Sequence, residues 1–545
     1  MAIATMAILV MVMAGLIPLY SDEVAMQMSR SRFFQEDAHL LNLLPQCRDL
    51  RVAIPSAWLP GAVFNAVLYS GATEWDLRLR GIALCLGWLA ILWAWARRHP
   101  QRLMATHRFG LLVLSLNLVG VMPLVLVLAR AEQLMVIALA FYCLWPFHFA
   151  IAPADRWPMR AGKAAGFVVL TSIFLLAHPK ALFFAPVILL SGFFSFRPGG
   201  WRGTTVVLAV ATAMIFQTFR QAQLIGQCSA APLLSQMLAQ QTLDFRLLFA
   251  QPGLFFDGAV HNLLAAPAAI LNRVPLSVDF QSGWLPSIVD PAAPSWLAAF
   301  AFVLKWSLAA GALALVMATG VQSATAFKRK TFRPAPCLAL GMLASLALHG
   351  ALYSSSIWHF YTPGLIVPIF VLLLMLTTQG RADKTPAAWK LVLANAVSLY
   401  AAALALASMI LLVYFVGPGL LGLTKLDRFD LPGQPLSTPL WLSTDRRQQL
   451  QHLAQQCKLA DGDRRLVVDG SGYFMFQHGA EPIHVLYVSS YAMGADIGAA
   501  LPSFMKKIDS SGLLARCEYL PPGMAGRAIA EGSMCCLSKA QLEQN

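Results

Sequence analysis

Two acidic residues, Asp22 and Glu23, directly follow the first apolar block of the sequence. Ionisable groups are costly inside hydrocarbon, so polar side chains at the ends of apolar blocks are candidates for function. A carboxylate in this position can act as a general base toward a hydroxyl group, or it can bind a divalent metal. An ordinary solvated helix end is the alternative, and the residue types alone leave both interpretations open.

Four more ionisable residues fall in two short gaps between apolar blocks. Arg130 and Glu132 occupy one gap, and His178 and Lys180 occupy another. Arginine binds a phosphate group bidentately, whereas lysine contacts it as a point charge. Arg130 and Glu132 are also consistent with an interfacial anchor and its partner, and a lone histidine is more often structural than catalytic.

His359 and Tyr361 belong to a stretch rich in serine and aromatic residues, 353–361, between two late apolar blocks. Such side chains stack on a sugar and hydrogen-bond it, but aromatic residues also form the interfacial belt of membrane proteins. Both interpretations stay open. The candidate substrate-binding residues are therefore Arg130, Glu132, His178, Lys180, His359 and Tyr361.

Membrane-spanning helices are the elements expected to position these residues. Hydrophobic residues make up 58% of the 545 and charged residues 12%, whereas soluble globular proteins carry ~25% charged residues. Each apolar block approaches the ~20 residues with which a helix crosses a bilayer. Eleven blocks occur, at residues 2–20, 81–96, 109–129, 134–151, 164–177, 181–196, 203–219, 296–319, 336–353, 361–378 and 391–416.

The basic residues between these blocks indicate the orientation of the chain. With the N-terminus in the cytoplasm, the gaps on the cytoplasmic side hold most of the inter-block Lys and Arg, at 97–108, 156–163, 197–202, 328–333 and 381–390. The short gaps on the other side hold Arg130 and Lys180 alone. By the positive-inside rule the ionisable cluster faces the extracytoplasmic side of an inner (plasma) membrane. The net charge of +14 is then explained by topology, and nucleic acid is not an expected partner.

Two features of the first helices left alternatives to weigh. The first block has no basic n-region and no clear small-x-small cleavage site before Ser21, which favours a retained helix over a cleaved signal peptide. The blocks on either side of His178 are short, and merging them into one tilted helix would invert the topology downstream. Two separate helices are expected.

Three longer stretches, each too polar to span the membrane, are expected on the outer side, at residues 21–80, 220–295 and 417–545. The first two are interpreted as amphipathic or interfacial helices and loops of a transmembrane module, residues 1–416. The third predicts a small α/β domain, so the expected fold class is an all-α polytopic membrane protein of about eleven transmembrane helices with a small C-terminal α/β extracytoplasmic domain. The elements expected in that domain are helices near 445–459 and 496–508 and strands near 466–468, 484–488 and 534–537.

Cysteine usage agrees with a domain outside the cytoplasm. Cys457, Cys517, Cys535 and Cys536 lie in the C-terminal stretch, where disulfides can persist. Pairing among these four is expected, although their spacing does not determine the partners. The sequence contains no CxxC or Cys/His zinc motif.

Four segments together resemble the membrane glycosyltransferases of the GT-C fold, especially the dolichyl-phosphate-mannose and aminoarabinose transferase branch. They are residues 20–23, 68–80, 130–133 and 178–180, the last followed by an apolar helix. The likeness covers residues 1–200, and beyond them it is one of topology. It implies transfer of a sugar, with inversion, from a polyprenyl-phosphate-linked donor to a lipid, glycan or protein acceptor on the extracytoplasmic side.

The resemblance also implies roles for the candidate residues. Asp22 and Glu23 become the catalytic carboxylates, because the acceptor hydroxyl needs a general base, and Arg130 or Lys180 stabilises the leaving phosphate. No cofactor is certain, a divalent metal stays open, and membrane lipids are expected partners. No nucleotide-binding GxGxxG or GxxxxGK[ST] motif is present.

Two other kinds of membrane protein compete with this hypothesis. A transporter or flippase for a lipid-linked sugar would use the same outer cavity, but such proteins usually show an internal repeat with paired broken helices, which is not visible here. A polysaccharide polymerase or ligase concentrates its functional residues in a large outer loop late in the chain. In this sequence they cluster early.

Overall fold

The computed structural model describes most of the chain. The described residues are 2–20, 23, 73–98, 106–225, 241–277, 292–354, 361–379, 388–424, 444–476 without 461, 464–465 and 469, and 501–543 without 503–504 and 507–508. Long apolar helices and one small C-terminal sheet make up these parts. The predicted fold class, an all-α polytopic membrane protein with a small C-terminal α/β unit, is confirmed. Asp22 and His359 lie outside the described residues.

Helices form in all eleven predicted blocks, and further helices lie between and after them. Those of the first half are α1 (Ala2–Gly15), α2 (Glu74–Arg98), α3 (Thr106–Leu116), α4 (Met122–Leu126), α5 (Ala131–His148), α6 (Trp157–Ala177), α7 (Ala185–Phe196) and α8 (Trp201–Ile225). Those of the second half are α9 (Leu247–Ala250), α10 (Pro252–Leu271), α11 (Ser295–Lys328), α12 (Pro334–Leu352), α13 (Pro363–Thr378), α14 (Ala388–Phe415) and α15 (Gly417–Thr424). Eight helices in the described parts are long and apolar enough to cross a membrane, and α1 and α13 are shorter apolar helices.

The block at 109–129 is not the single helix that its hydrophobicity predicts. The side chain of Asn117 ends α3, because its amide donates to the Val113 carbonyl and its oxygen accepts from Trp88 Nε1 at 2.9 Å. Gly120 then adopts φ +56°, a conformation that glycine takes without steric cost, and its α carbon lies against the Val274 carbonyl. Pro123 lies in the first turn of the short helix α4, which begins at Met122. Because the helix is interrupted here, the chain forms a turn at Arg130 instead of continuing as a helix.

Helix α10 is long and apolar enough to span a membrane, although residues 220–295 were expected to be too polar to do so. Its middle, however, packs on the last turn of α12. The Asn262 amide donates to the Ala351 carbonyl at 3.2 Å, and Ala266 packs against Tyr353. Leu243, just before α9, donates its backbone N–H to the Leu352 carbonyl. These contacts join α10 to the end of α12 that carries Tyr353.

Two apolar clusters hold the bundle together. In the larger one α7 packs among α5, α8 and α12, and buried aromatic rings from α6 and α7 fill the spaces between them. In the other, α1 packs against α14, and the irregular segment after α3 fills the space beside them. Close packing of this kind fixes the relative heights of the helix ends, which decides which turns meet.

The end of the bundle opposite α10 carries the basic gaps. There Lys163 at the start of α6 binds Asp155 at 2.7 Å and also the Ala150 carbonyl. The hydrogen bond from Lys163 holds the pKa of Asp155 below its usual value. Arg197 lies over the exposed ring of Trp201, as expected for cations and aromatic residues at a membrane interface.

The C-terminal part begins with α16 (Thr444–Gln456) and contains a four-stranded sheet. Its strands are β1 (Leu466–Val468), β2 (Gly512–Arg516), β3 (Ile529–Glu531) and β4 (Met534–Ser538), with short helices at Gly470–Tyr473, Pro522–Ala525 and Lys539–Glu543. The strand order is β1-β2-β4-β3, with β1 and β2 parallel and the other pairs antiparallel. The predicted helix near 445–459 and the strands near 466–468 and 534–537 are confirmed; the strand near 484–488 and most of the helix near 496–508 lie outside the described residues.

Two disulfides join this sheet to its surroundings. Cys457, just after α16, pairs with Cys536 in β4, and Cys517 pairs with Cys535. Pairing among the last four cysteines, which spacing alone left open, is thus defined. Cys535 and Cys536 are adjacent in β4, and each forms a disulfide with a different segment. Both segments are therefore covalently attached to this central strand.

Candidate functional site

A sharp turn between α4 and α5 presents Arg130. The residue has an extended backbone conformation directly before α5, and its N–H donates to the Leu128 carbonyl at 2.7 Å. The Gln133 side chain fixes the turn by donating to the carbonyls of Leu126, at 2.6 Å, and Gly81, at 2.8 Å. The turn is therefore tied to α2 as well as to α5.

Lys180 comes from the junction of α6 with a 3-10 helix, Pro179–Phe184. His178 caps this 3-10 helix, since its Nδ1 accepts the backbone N–H of Lys180 at 3.1 Å. This cap gives His178 a structural role. It also directs the side chain of Lys180 toward α5. The two apolar blocks flanking His178 are separate helices, α6 and α7, as expected.

Glu132 joins the two cations. One carboxylate oxygen lies 3.2 Å from Arg130 Nε and the other lies 3.3 Å from Lys180 Nζ. The exposed fractions are 7% for Arg130, 4% for Glu132 and 5% for Lys180. Two buried cations therefore contact the same carboxylate.

Tyrosine rings surround this ion cluster. The Arg130 guanidinium carbon lies 3.6 Å from the centre of the Tyr361 ring and 5.8 Å from that of Tyr20. Lys180 Nζ lies 5.3 Å from the Tyr353 ring and 5.6 Å from Tyr361. The negative faces of the rings stabilise the two cations without neutralising them. Such a site is suited to receive an anion.

Glu23 is fully buried and lies beside the same turn. Its carboxylate accepts from the backbone N–H of Ala129 at 2.7 Å and from that of Tyr20 at 2.9 Å, and it pairs with the Arg78 guanidinium at 3.2 Å. Arg78 in turn donates to the carbonyls of Pro18 and Val127. The acidic residue that follows α1 is thus part of a hydrogen-bonded joint next to Arg130.

A small cavity lies beside Arg130 and Glu132, with a volume of about 20 Å³, enough for about one water molecule. Tyr361, Gln133 and Gly364 line it together with apolar residues of α2 and α4. An open route for a sugar is not visible among the described residues. The neighbouring segments 21–22, 24–72 and 355–360 lie outside them.

Six of the predicted site residues come together at one end of the bundle: Glu23, Arg130, Glu132, His178, Lys180 and Tyr361. Asp22 and His359 were also predicted and lie outside the described residues. In the part of the chain that the structure describes, no group of three His, Cys, Asp or Glu side chains is arranged to hold a metal ion.

Four residues of this end were not among the predicted ones: Arg78, His349, Tyr353 and Tyr20. His349 is buried in the last turn of α12, stacked on Tyr353 and in edge contact with Phe183. A His inside an apolar block is the signal that could have identified His349, because polar groups at membrane depth are costly unless they face the interior of a bundle. Arg78 precedes the predicted block at 81–96 and gave no such signal.

Comparison with known proteins gives a distant structural likeness. No protein-family model matches the sequence, and no curated protein matches it. Among solved structures, the crystal structure of ArnT from Cupriavidus metallidurans bound to undecaprenyl phosphate is similar, with 14% sequence identity and a TM-score of 0.43. The alignment covers 100% of this chain and 98% of that one.

Proposed function

We propose that this protein is an integral membrane glycosyltransferase. In this proposal it moves a sugar from a polyprenyl-phosphate donor to a lipid, glycan or protein acceptor on the extracytoplasmic side of the inner membrane. The observation that carries the proposal is the buried cluster in which Arg130 and Lys180 share Glu132. Cations at membrane depth fit a substrate whose phosphate lies at the headgroup level while its tail stays in lipid.

The chemistry requires two functions of the site. The bond between the anomeric carbon and the phosphate oxygen breaks, and its electron pair leaves with the phosphate, which Arg130 and Lys180 stabilise. The acceptor hydroxyl attacks the opposite face of the anomeric carbon, which inverts it, and gives its proton to a carboxylate, for which Asp22 is the candidate.

The tyrosines add binding energy to the site. The Tyr361 and Tyr353 rings lie next to the cations, and their edges would contact the sugar of a bound donor. Because the rings already contact Arg130 and Lys180, sugar and phosphate would meet at one place. This proximity is what a transfer reaction needs.

A transporter or flippase for a lipid-linked sugar is the alternative function. It would use the same cations to bind the phosphate, so binding alone does not separate the two. Formation of a glycosidic bond does.

The test uses the full-length protein in lipid nanodiscs. Binding of undecaprenyl phosphate is measured first, by thermal shift and native mass spectrometry, with undecaprenol as the control lacking the phosphate. Undecaprenyl-phosphate-linked pentose, hexose and amino sugar are then supplied with a bacterial lipid extract, and mass spectrometry scores new glycosides. Arg246→Gln is a matched variant, because Arg246 is exposed at the same end of the bundle.

We expect binding of undecaprenyl phosphate in preference to undecaprenol, and a new glycoside with at least one donor. Equal affinity for the two lipids would contradict a phosphate site. If the protein binds the phosphate selectively but forms no glycoside, and if in sealed proteoliposomes it moves the donor across the bilayer, the flippase would be favoured.

A further inference from the structure

The joint between Glu23 and Arg78 connects three parts of the chain that are distant in sequence. Arg78 Nη2 lies 3.2 Å from the Glu23 carboxylate and 3.1 Å from the Pro18 carbonyl, and its Nη1 lies 3.1 Å from the Val127 carbonyl. Both side chains are 0% exposed. The exit of α1, the first turns of α2 and the segment before Arg130 are thereby fastened together.

The position of Arg130 depends on this joint. The other Glu23 oxygen accepts the N–H of Ala129, the residue directly before Arg130, at 2.7 Å. The close approach continues one turn further along α2, where any side chain at Gly81 would collide with the Val127 carbonyl. Since two sides of the 127–130 segment are held, Arg130 has little room to move toward or away from Lys180.

The C-terminal unit packs on the same joint. Leu19, Leu77 and Ala129, which neighbour the joint in sequence, are buried in one apolar cluster with residues of α16, β1 and β4. Arg447 of α16 also lies 3.5 Å from Glu74 at the start of α2. Burial of the three apolar side chains therefore couples the C-terminal unit to the segment that presents Arg130.

We propose that Glu23 and Arg78 are positioning residues, whose joint sets the 127–130 segment and hence Arg130 at the donor phosphate, with the C-terminal unit packed against it. This inference rests on the proposed function and refines it by giving Glu23 a role other than general base. Both Glu23 oxygens already accept hydrogen bonds from the backbone, and one of them also pairs with Arg78. A base would have to exchange these contacts for an acceptor hydroxyl.

The test compares removal of one partner with removal of both. Loss of one partner leaves a buried charge, which strongly destabilises proteins, whereas an apolar replacement of both is often neutral. The variants are Arg78→Leu, Glu23→Gln, the pair Glu23→Leu with Arg78→Leu, and Arg78→Lys, which keeps the charge but loses the fork of donors. The control is the pair Asp155→Leu with Lys163→Leu at the other end of the bundle.

Three properties are measured on each full-length variant. They are the melting temperature, the dissociation constant of undecaprenyl phosphate, and hydrogen–deuterium exchange of the peptide that contains Ala129. Transfer is added as KM and kcat once a donor is known. Exchange at Ala129 reports on the joint whether or not the protein is a transferase.

We expect the double Glu23 and Arg78 variant to melt below the wild type but above Arg78→Leu, because it leaves no buried charge although four backbone groups lose their partners. It should exchange at Ala129 at least tenfold faster than the wild type and bind undecaprenyl phosphate at least tenfold more weakly. The exchange rate and the affinity of Arg78→Lys should lie between those of the double variant and the wild type. The double Asp155 and Lys163 variant should bind undecaprenyl phosphate with wild-type affinity. If the double variant fails to insert into the membrane, Arg78→Lys alone tests the joint. Faster exchange at Ala129 and weaker binding of undecaprenyl phosphate than in the wild type would then support it.

Two results would overturn the inference. One is wild-type exchange at Ala129 and wild-type affinity in the double variant, or in Arg78→Lys where the double variant does not insert. The other is a Glu23→Gln protein that binds undecaprenyl phosphate normally and loses only kcat, as a general base would. Failure of the wild type to bind undecaprenyl phosphate would instead overturn the proposed function, and exchange at Ala129 would still decide whether the joint exists.

Discussion

The guanidinium carbon of Arg130 lies 3.6 Å from the centre of the Tyr361 ring, although 231 positions separate the two residues in the chain (361 − 130). Arg130 belongs to the turn before α5, and Tyr361 lies just before α13. The Glu132 carboxylate contacts the Nε edge of the same guanidinium. Ring and carboxylate together fix the plane of the arginine fork.

Arg130→Gln and Lys180→Gln should each impair the protein if these cations bind the donor phosphate. A charge-assisted contact that strengthens as the phosphate leaves is worth several kcal/mol, so we expect a fall in turnover of ~10²-fold or more. A headgroup anchor contributes only ~1 kcal/mol. Transfer is measured on variants checked for expression and fold, with Arg246→Gln as the control. A loss of turnover under threefold in both Arg130→Gln and Lys180→Gln would contradict a role of these cations in binding the phosphate.

The helices could be predicted from sequence because blocks of apolar residues near the length of a bilayer crossing leave few alternatives. The break at Asn117 and Gly120 was missed, since both lie within an apolar run and their effect comes from contacts with Trp88 and Val274. The hydrophobicity of a segment indicates whether it lies in lipid or in water, but it gives no information about contacts between individual side chains.

The candidate site was predicted as residue types at helix ends, without the contacts that join them. Lys180 and Glu132 could be listed as neighbours at one depth, but their ion pair depends on how α5 and α6 pack. The pairing of Glu23 with Arg78 was missed because Arg78 lies inside a helix that was expected to begin at residue 81. A buried arginine needs a partner, and only the packing identifies it.

Topology supplies the next prediction. Reporter fusions after Arg333 and after Leu459 should report opposite compartments, the first cytoplasmic. Helix α12 begins just after Arg333, and its other end leads to Tyr353, which lies beside Lys180. Leu459 packs with Leu19, at the same end of the bundle as Lys180. Positive charge at 328–333 is expected on the cytoplasmic side. The same compartment for both fusions would contradict the eleven-helix topology.

The two disulfides should differ in their contribution to stability. Cys457 and Cys536 are 79 positions apart and Cys517 and Cys535 are 18 apart. In the chain-entropy model, loops of these sizes are worth ~4.5 and ~3 kcal/mol. Replacing Cys457 and Cys536 by Ser should lower the melting temperature of the full chain more than replacing Cys517 and Cys535. The first pair lies near the cluster that holds Leu19 and Leu77, so its loss should also weaken binding of undecaprenyl phosphate. A larger effect from the short loop would contradict this.

Asp22→Asn keeps the size of the side chain and removes its basicity. If Asp22 is the general base, turnover should fall ~10²- to 10⁴-fold while the dissociation constant of undecaprenyl phosphate stays within threefold, because the phosphate contacts are elsewhere. Kinetics and binding are measured on the same preparation, and Asp155→Asn at the other end of the bundle is the control. Near-normal transfer by a correctly inserted Asp22→Asn protein would remove Asp22 from the role.

Glu132→Gln should make the protein less stable but more responsive to its ligand. The carboxylate lies 3.2 Å from Arg130 and 3.3 Å from Lys180, so its removal leaves two buried cations with a neutral amide between them. Breaking a buried pair typically costs ~3 to 5 kcal/mol, which should lower the melting temperature.

Added undecaprenyl phosphate should then replace the missing negative charge. A ligand that binds only the folded state stabilises it by RT ln(1 + [L]/Kd), so tighter binding gives a larger stabilisation. Removal of the competing Glu132 carboxylate should tighten binding of the phosphate to Arg130 and Lys180. We therefore expect undecaprenyl phosphate to raise the melting temperature of Glu132→Gln by more than it raises that of the wild type, with undecaprenol without effect on either. An equal or smaller rise in the variant would mean that the phosphate does not meet Arg130 and Lys180, and that Glu132 holds the two cations for structural reasons alone.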